Sequence, residues 1–187
     1  MINKLRWALL FACLPLAACT LSPIPITAAK PQAPDERFTG EWRSEIAGQE
    51  ASLFSIKLAA DGQLLGEVRD EGKSASQPEH LELVTAEIAG NHYLSVTFVT
   101  EEKLPPQYLL LRYEPVSPQV IQIYIADYDL LADAVSRKQL AGGLVKDRHM
   151  DSFQLTVDAS QLRKFIAAHG TRVFHHKGPV LERLRAP

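Results

Sequence analysis

Three imidazoles, His169, His175 and His176, cluster late in this chain of 187 residues. Zinc chemistry would need three or four such groups converging at about 2 Å from one point. Successive side chains of a strand point to opposite faces, so His175 and His176, taken as strand neighbours, are expected not to share one ion. His169 falls on the apolar face of a helical stretch, close to its C-terminus, where the helix dipole favours an imidazolium. His149 lies between Arg148 and Asp151 and reads as a loop residue. The acids Asp127, Asp129 and Asp133 could run general acid–base chemistry if two met in a cleft. Their place at a helix start gives them a structural task instead, stabilising exposed N–H groups. Serine chemistry lacks its settings: there is no Gly-x-Ser-x-Gly, and Ser136-Arg137-Lys138-Gln139 fails Ser-x-x-Lys at its last position. No phosphate-binding Gly-rich loop is present either. No catalytic, metal or cofactor-binding residue is assigned on this basis; the chain leans toward a non-enzymatic role, with a hydrolase of unrecognised site as the remaining alternative. Tyr93, Tyr108, Tyr113, Tyr124 and Tyr128, with Phe98, could line a pocket for an apolar guest or serve as strand packing, which aromatics favour anyway.

The thiols point to a different chemistry. Cys13 and Cys19 are the two cysteines, and Cys13 sits within an apolar run from Trp7 to Leu16 preceded by Lys4 and Arg6. Such a run is too short to span a bilayer as a mature helix. Leu16-Ala17-Ala18-Cys19 resembles the lipobox of a bacterial lipoprotein signal peptide. The resemblance implies cleavage before Cys19 and acylation of its thiol, a firm anchor when several chains are attached. In that family Asp at the next position retains the protein in the inner membrane; Thr20 therefore implies the outer membrane, facing the periplasm. The expected mature chain has no free thiol, so a disulfide, a thiolate metal site and a cysteine nucleophile are not expected.

The formal net charge is −2, and nucleic acid is not an expected partner at that balance. The expected partners are the membrane, through acylated Cys19, and an apolar ligand or an envelope protein. Residues 161–187 are net basic, with Arg163, Lys164, Arg172, Lys177, Arg183 and Arg185 against Glu182. This segment either contacts anionic surfaces or faces acidic strands of its own domain. Pro23, Pro25, Pro31 and Pro34 make residues 19–37 read as an extended tether, reaching roughly 55 Å at about 3.1 Å per residue. The expected division is a signal peptide at 1–18, a tether at 19–37 and one globular domain at 38–187.

Within that domain the dominant pattern is alternation at period two, the mark of strands with one buried face. Strands are expected at 38–46, 52–58, 64–69, 81–88, 93–100, 108–113, 120–126, around Phe153 to Val157, at 171–175 and at 180–185. Two stretches change period: 129–139, ended by Gly142-Gly143, and a helix opened by Asp158-x-x-Gln161 and closed by Gly170. Sequential strands joined by tight turns give an antiparallel sheet. The fold class is therefore mainly β with a minor α part: one barrel-like or sandwich sheet of about 8–10 strands with two short helices, the barrel being preferred because closure limits free edges.

Gly40-Glu41-Trp42 opens the domain and resembles the Gly-x-Trp signature of lipocalins, whose Trp plugs one end of an eight-stranded barrel. That resemblance implies a late arginine stacked on Trp42, and Arg183 or Arg185 is placed to supply it through a cation–π contact. Asp127-Tyr128 resembles the family's Thr-Asp-Tyr motif, with Ala126 in place of the Thr. The expectation is a lipid-anchored envelope domain that binds an apolar molecule, a lipid or a partner protein, or an accessory subunit of an envelope complex.

Overall fold

The structure, a computed structural model, describes residues 19–45, 50–72, 78–99, 106–146 and 151–185. The segment read as a signal peptide and His149 lie outside these residues.

Eight antiparallel strands close a barrel. They are β2 (Gly40–Glu45), β3 (Ser52–Leu58), β4 (Leu64–Asp70), β5 (Glu79–Ile88), β6 (Asn91–Phe98), β7 (Tyr108–Ser117), β8 (Val120–Ile125) and β11 (His176–Arg185). Each pairs with the next in sequence from β2 to β8; β11 then pairs with both β8 and β2 and completes the ring. The alternation that forecast the strands sorts their side chains. Trp42, Ile56, Leu83, Leu94, Leu111 and Ile121 point into the barrel. Tyr93, Leu110 and Ala86, at the intervening positions, point outward into a second apolar layer.

That outer layer is covered by α1 (Tyr128–Ser136), α2 (Ala159–Val173) and three further strands: β1 (Cys19–Ser22), β9 (Gly142–Lys146) and β10 (Asp151–Leu155). The sheet forks to admit them. β8 pairs with β7 from Arg112 onward, while β1 takes the opposite end of β7, Tyr108 and Leu109. β10 then pairs in parallel with β1, and β9 with β10.

Residues 19–37 are therefore not a free tether, and the folded unit begins before Phe38. Thr20 and Ser22 are buried, and Ile26 is 1 % exposed within the outer layer. The Ile26 N–H donates to Ser95 Oγ at 2.8 Å. Gln32 pairs its side-chain amide with both backbone groups of Glu87. The Asp35 N–H donates to Thr85 Oγ1 at 2.8 Å. The prolines do prevent regular pairing after Ser22. Side-chain acceptors and Ile26 burial dock the segment in its place.

Two other expectations are corrected near the C-terminus. Helix α2 does not stop at Gly170 but runs to Val173, and no strand spans 171–175. Gly170 is there because Tyr93 presses on the helix: a Cβ would overlap the phenol oxygen and lie 2.9 Å from Cζ. The strand expected at 180–185 begins earlier, at His176, and Gly178-Pro179 forms an irregularity inside β11, where the register shifts between Lys177 and Val180. The Gln122 amide donates to the carbonyls of Gly178 and Pro179 and so supplies bonds that the ladder loses there. Likewise α1 ends at Ser136, and Gly142-Gly143 opens β9.

Candidate functional site

One end of the barrel is sealed. A 3₁₀ turn at Glu36–Phe38, capped by Asp35, brings Phe38 beneath Trp42, and both side chains are fully buried. The Trp42 Nε1–H donates to the Phe38 carbonyl at 2.7 Å. Arg183 stacks its guanidinium on the indole, 4.2 Å from the ring centroid. Its nitrogens donate to the carbonyls of Pro118, Thr39 and Arg37. Of the two arginines named from sequence, Arg183 is the one on the indole. Arg185 lies opposite Glu41 in the strand register, and its side chain lies outside the described residues.

The opposite end has a different lining. Phe54, Val96, Phe98, Leu109 and Ile125 are only partly buried, and all pack against the barrel core. Val96, Phe98, Leu109 and Ile125 lie toward the strand ends away from the plug, at the start of β7 or the end of β6 and β8, whereas Phe54 is the register partner of Trp42 itself. Leu83, Leu94, Leu111 and Ile123 fill the barrel below them. Among the described residues Val96, Phe98, Leu109 and Ile125 form a partly exposed apolar rim above a packed interior. Connections 46–49, 73–77 and 100–105 join strands at this end and lie outside the described residues.

Of the two roles open to the five tyrosines and Phe98, packing is the one the structure shows. Tyr113 alone among the tyrosines faces the barrel core; Tyr93, Tyr108, Tyr124 and Tyr128 belong to the outer layer. Tyr113 also borders a cleft of about 280 Å³ at the sealed end, with Asp35, Arg37, Thr85, Glu87 and His92. Its hydroxyl donates to Asp35 Oδ2 at 2.5 Å, and Arg37 binds the same carboxylate. Burial pushes the Asp35 carboxyl up, but the hydrogen bonds from Arg37 and Tyr113 outweigh it and hold the group below its usual range. Burial first, and then Asp35, push the Tyr113 hydroxyl far above its ordinary value. An ionised carboxylate locked to a neutral phenol is an ion-pair network that fixes the plug. Neither group is poised to exchange a proton near neutrality.

At the rim of the open end, Asp127, His175 and His176 meet. The expectation that the two histidines diverge is overturned. Alternation holds only inside a strand, and β11 begins at His176. Phe174 ends α2 at φ −99°, ψ 72°, and the bend swings both rings to one side, 4.2 Å apart. His176 Nε2 lies 3.2 Å and His175 Nε2 3.7 Å from Asp127 Oδ2. Asp127 does cap α1, as the sequence indicates: its Oδ1 accepts from the Leu130 N–H at 3.0 Å. Burial raises the Asp127 carboxyl, but the Leu130 N–H and both histidines lower it more, so it too is held below the usual range. His169 stays apart, tilted against Phe165. Asp133 pairs with Arg137 one turn on, and Asp129 is exposed. Asp158 caps α2, while the Gln161 side chain reaches the Gln139 carbonyl instead of closing a capping box.

No helix among the described residues is long and apolar enough to cross a membrane. The chain matches no family model, no curated protein and no solved structure.

Proposed function

We propose that this chain is a non-catalytic, lipid-anchored binding domain of the bacterial cell envelope, attached through an acylated Cys19 to the outer membrane, whose open barrel end receives a narrow apolar group. The observation that carries the binding half of the reading is the contrast between the two barrel ends. One is closed by Phe38, Trp42 and Arg183; the other leaves Val96, Phe98, Leu109 and Ile125 partly exposed among the described residues. The filled interior limits the guest to something thin and shallow, such as the end of an acyl chain or an apolar side chain of a partner. The anchor half rests on Leu16-Ala17-Ala18-Cys19. The plugged end, with its Gly40-Glu41-Trp42 start and stacked arginine, supports a lipocalin-like reading of the barrel. An anchor at Cys19 carries a consequence. β1 starts at that residue, so the domain would sit directly on the lipid surface rather than at the end of a spacer.

The test titrates residues 19–187, with Cys19→Ser to remove the anchor, against a fluorescent C18 fatty acid. Saturable binding at one site, lost in Phe98→Glu and Leu109→Glu variants of unchanged circular dichroism, supports the reading. Binding that both variants retain, or no saturable binding, rejects it. Mass spectrometry of the membrane fraction decides the anchor separately: a bare Cys19 with residues 1–18 still attached removes it.

A second reading, an accessory subunit of an envelope complex, draws on β9. This strand ends the sheet order with no further strand beside it among the described residues, and its Leu144 and Val145 are 45 % and 40 % exposed. An unpaired apolar edge is a template for another chain. Val145→Lys that removes a stoichiometric partner from detergent-solubilised membranes while sparing fatty-acid binding would favour it.

A further inference from the structure

We propose that Asp127, His175 and His176 form a binding site for a first-row transition-metal dication, Zn²⁺ in the first instance. Three donors of the right types are already gathered. All three ligand atoms lie within 4.8 Å of one another. Ligands about 2.0–2.1 Å from a tetrahedral zinc are separated by about 3.4 Å. The two histidine–carboxylate separations, 3.2 and 3.7 Å, bracket that edge. The histidine rings are about half exposed, which leaves room for side-chain rotation to draw the two nitrogens together.

A second observation is independent of the clustering: two of the three donors are held from behind, as metal ligands are. His175 Nδ1 lies 2.8 Å from the Arg172 carbonyl. A carbonyl only accepts, so this contact places a ring proton on Nδ1 and turns Nε2, the nitrogen that would bind an ion in place of its proton, toward Asp127. Asp127 spends Oδ1 on the Leu130 N–H and turns Oδ2 to the histidines. Its own N–H donates to the Val173 carbonyl at 2.7 Å, which fixes the end of β8 against the end of α2. Two imidazoles and one carboxylate suit zinc, copper or nickel and not the hard cations calcium and magnesium. Three protein ligands leave a fourth position for water or a donor from a guest. The site spans the end of β8 and the start of β11, so an ion there ties together two strands at the open rim.

The experiment uses calorimetry on chelator-stripped protein with Zn²⁺, and Mg²⁺ as the control. The expected result is saturable binding of one Zn²⁺ per chain, a higher Tm with Zn²⁺ than with EDTA, and no heat from Mg²⁺. His175→Ala and His176→Ala should each weaken binding by at least about 100-fold, because even the partners that merely orient ligands are worth about 10- to 100-fold. Asp127→Asn retains a good helix cap and so separates loss of a ligand from loss of fold; it should also weaken binding, with Tm in EDTA close to that of the parent. Imidazole ¹⁵N shifts should move at His175 Nε2. Unsaturable binding, an equal response to Mg²⁺, or affinity within about twofold of the parent in both histidine variants overturns the proposal.

Discussion

The Arg183 guanidinium lies 4.2 Å from the Trp42 ring centroid, and the stack joins the last barrel strand to the first. The same guanidinium donates to carbonyls on both sides of the sealed end: Pro118 in the β7–β8 turn, and Thr39 and Arg37 before β2. A cation over an indole is worth about 0.5–2 kcal/mol, and a hydrogen bond from a charged donor about 1.5–3 kcal/mol. These contributions overlap, since they share one group. Arg183→Ala should therefore destabilise the barrel by about 2–4 kcal/mol in urea unfolding. Arg183→Lys should recover less than half, because an ammonium cannot stack as a plane and reach three carbonyls together. Trp42 fluorescence, the single tryptophan signal from residues 19–187, reports the loss at the plug itself.

Ile26 decides between a docked segment and a tether. Its side chain is buried in the outer layer beside Ser95. Ile26→Ala should cost about 2–4 kcal/mol, the range for truncating a buried aliphatic residue. A residue in a free tether would cost nothing, so the denaturation midpoint distinguishes the two.

How far the sequence foretold these features depends on the range of the forces that fix them. The alternation of Phe54, Ile56 and Leu58 identifies β3 to its last residue, because the period-two pattern is written locally even though only Ile56 of the three is buried and Leu58 is 40 % exposed. Trp42 and its arginine were legible by another route, the resemblance of Gly40-Glu41-Trp42 to the lipocalin signature, which left Arg183 and Arg185 as alternatives; Arg183 is the one on the indole. β1 was not legible. Four residues before a proline-rich stretch carry no periodicity, and their strand exists only through partners at Leu109 and Ser152, distant in sequence. The histidine cluster was missed because alternation was applied across a bend at Phe174. Gly170 was read as a helix stop when its reason lies on another strand.

The acid limb of the stability profile should carry Asp35. Its folded carboxyl is held below the usual range, burial being outweighed by the bonds from Arg37 and Tyr113. A group with a depressed folded value contributes stability that is present above its unfolded value, about 3.9, and is lost as pH falls through the folded one. Asp35→Asn should thus lower Tm at pH 7, and the gap to the parent should shrink as pH falls below about 4. A gap that stays constant with pH would show that the carboxylate charge is not what matters. Tyr113 has the opposite sign. Its raised value adds stability that is intact below about pH 10, the ordinary tyrosine value, and declines above it.

Gly170 faces Tyr93 across the outer layer, and the contact predicts a reversal of an ordinary rule. In a helix interior Gly→Ala usually gains about 1 kcal/mol. Here the new methyl would overlap the Tyr93 hydroxyl and crowd Cζ at 2.9 Å, with both residues buried. Overpacking of that kind costs about 1–3 kcal/mol, so Gly170→Ala should lower stability despite its better helix propensity. Tyr93→Phe removes the nearest atom but leaves Cζ in place, so the double variant should recover part of the loss. A double-mutant cycle reads this as a coupling of about 0.5–3 kcal/mol. Additive effects would mean that α2 can slide away from β6 at little cost. The helix would then be a loosely held cover rather than part of the wall.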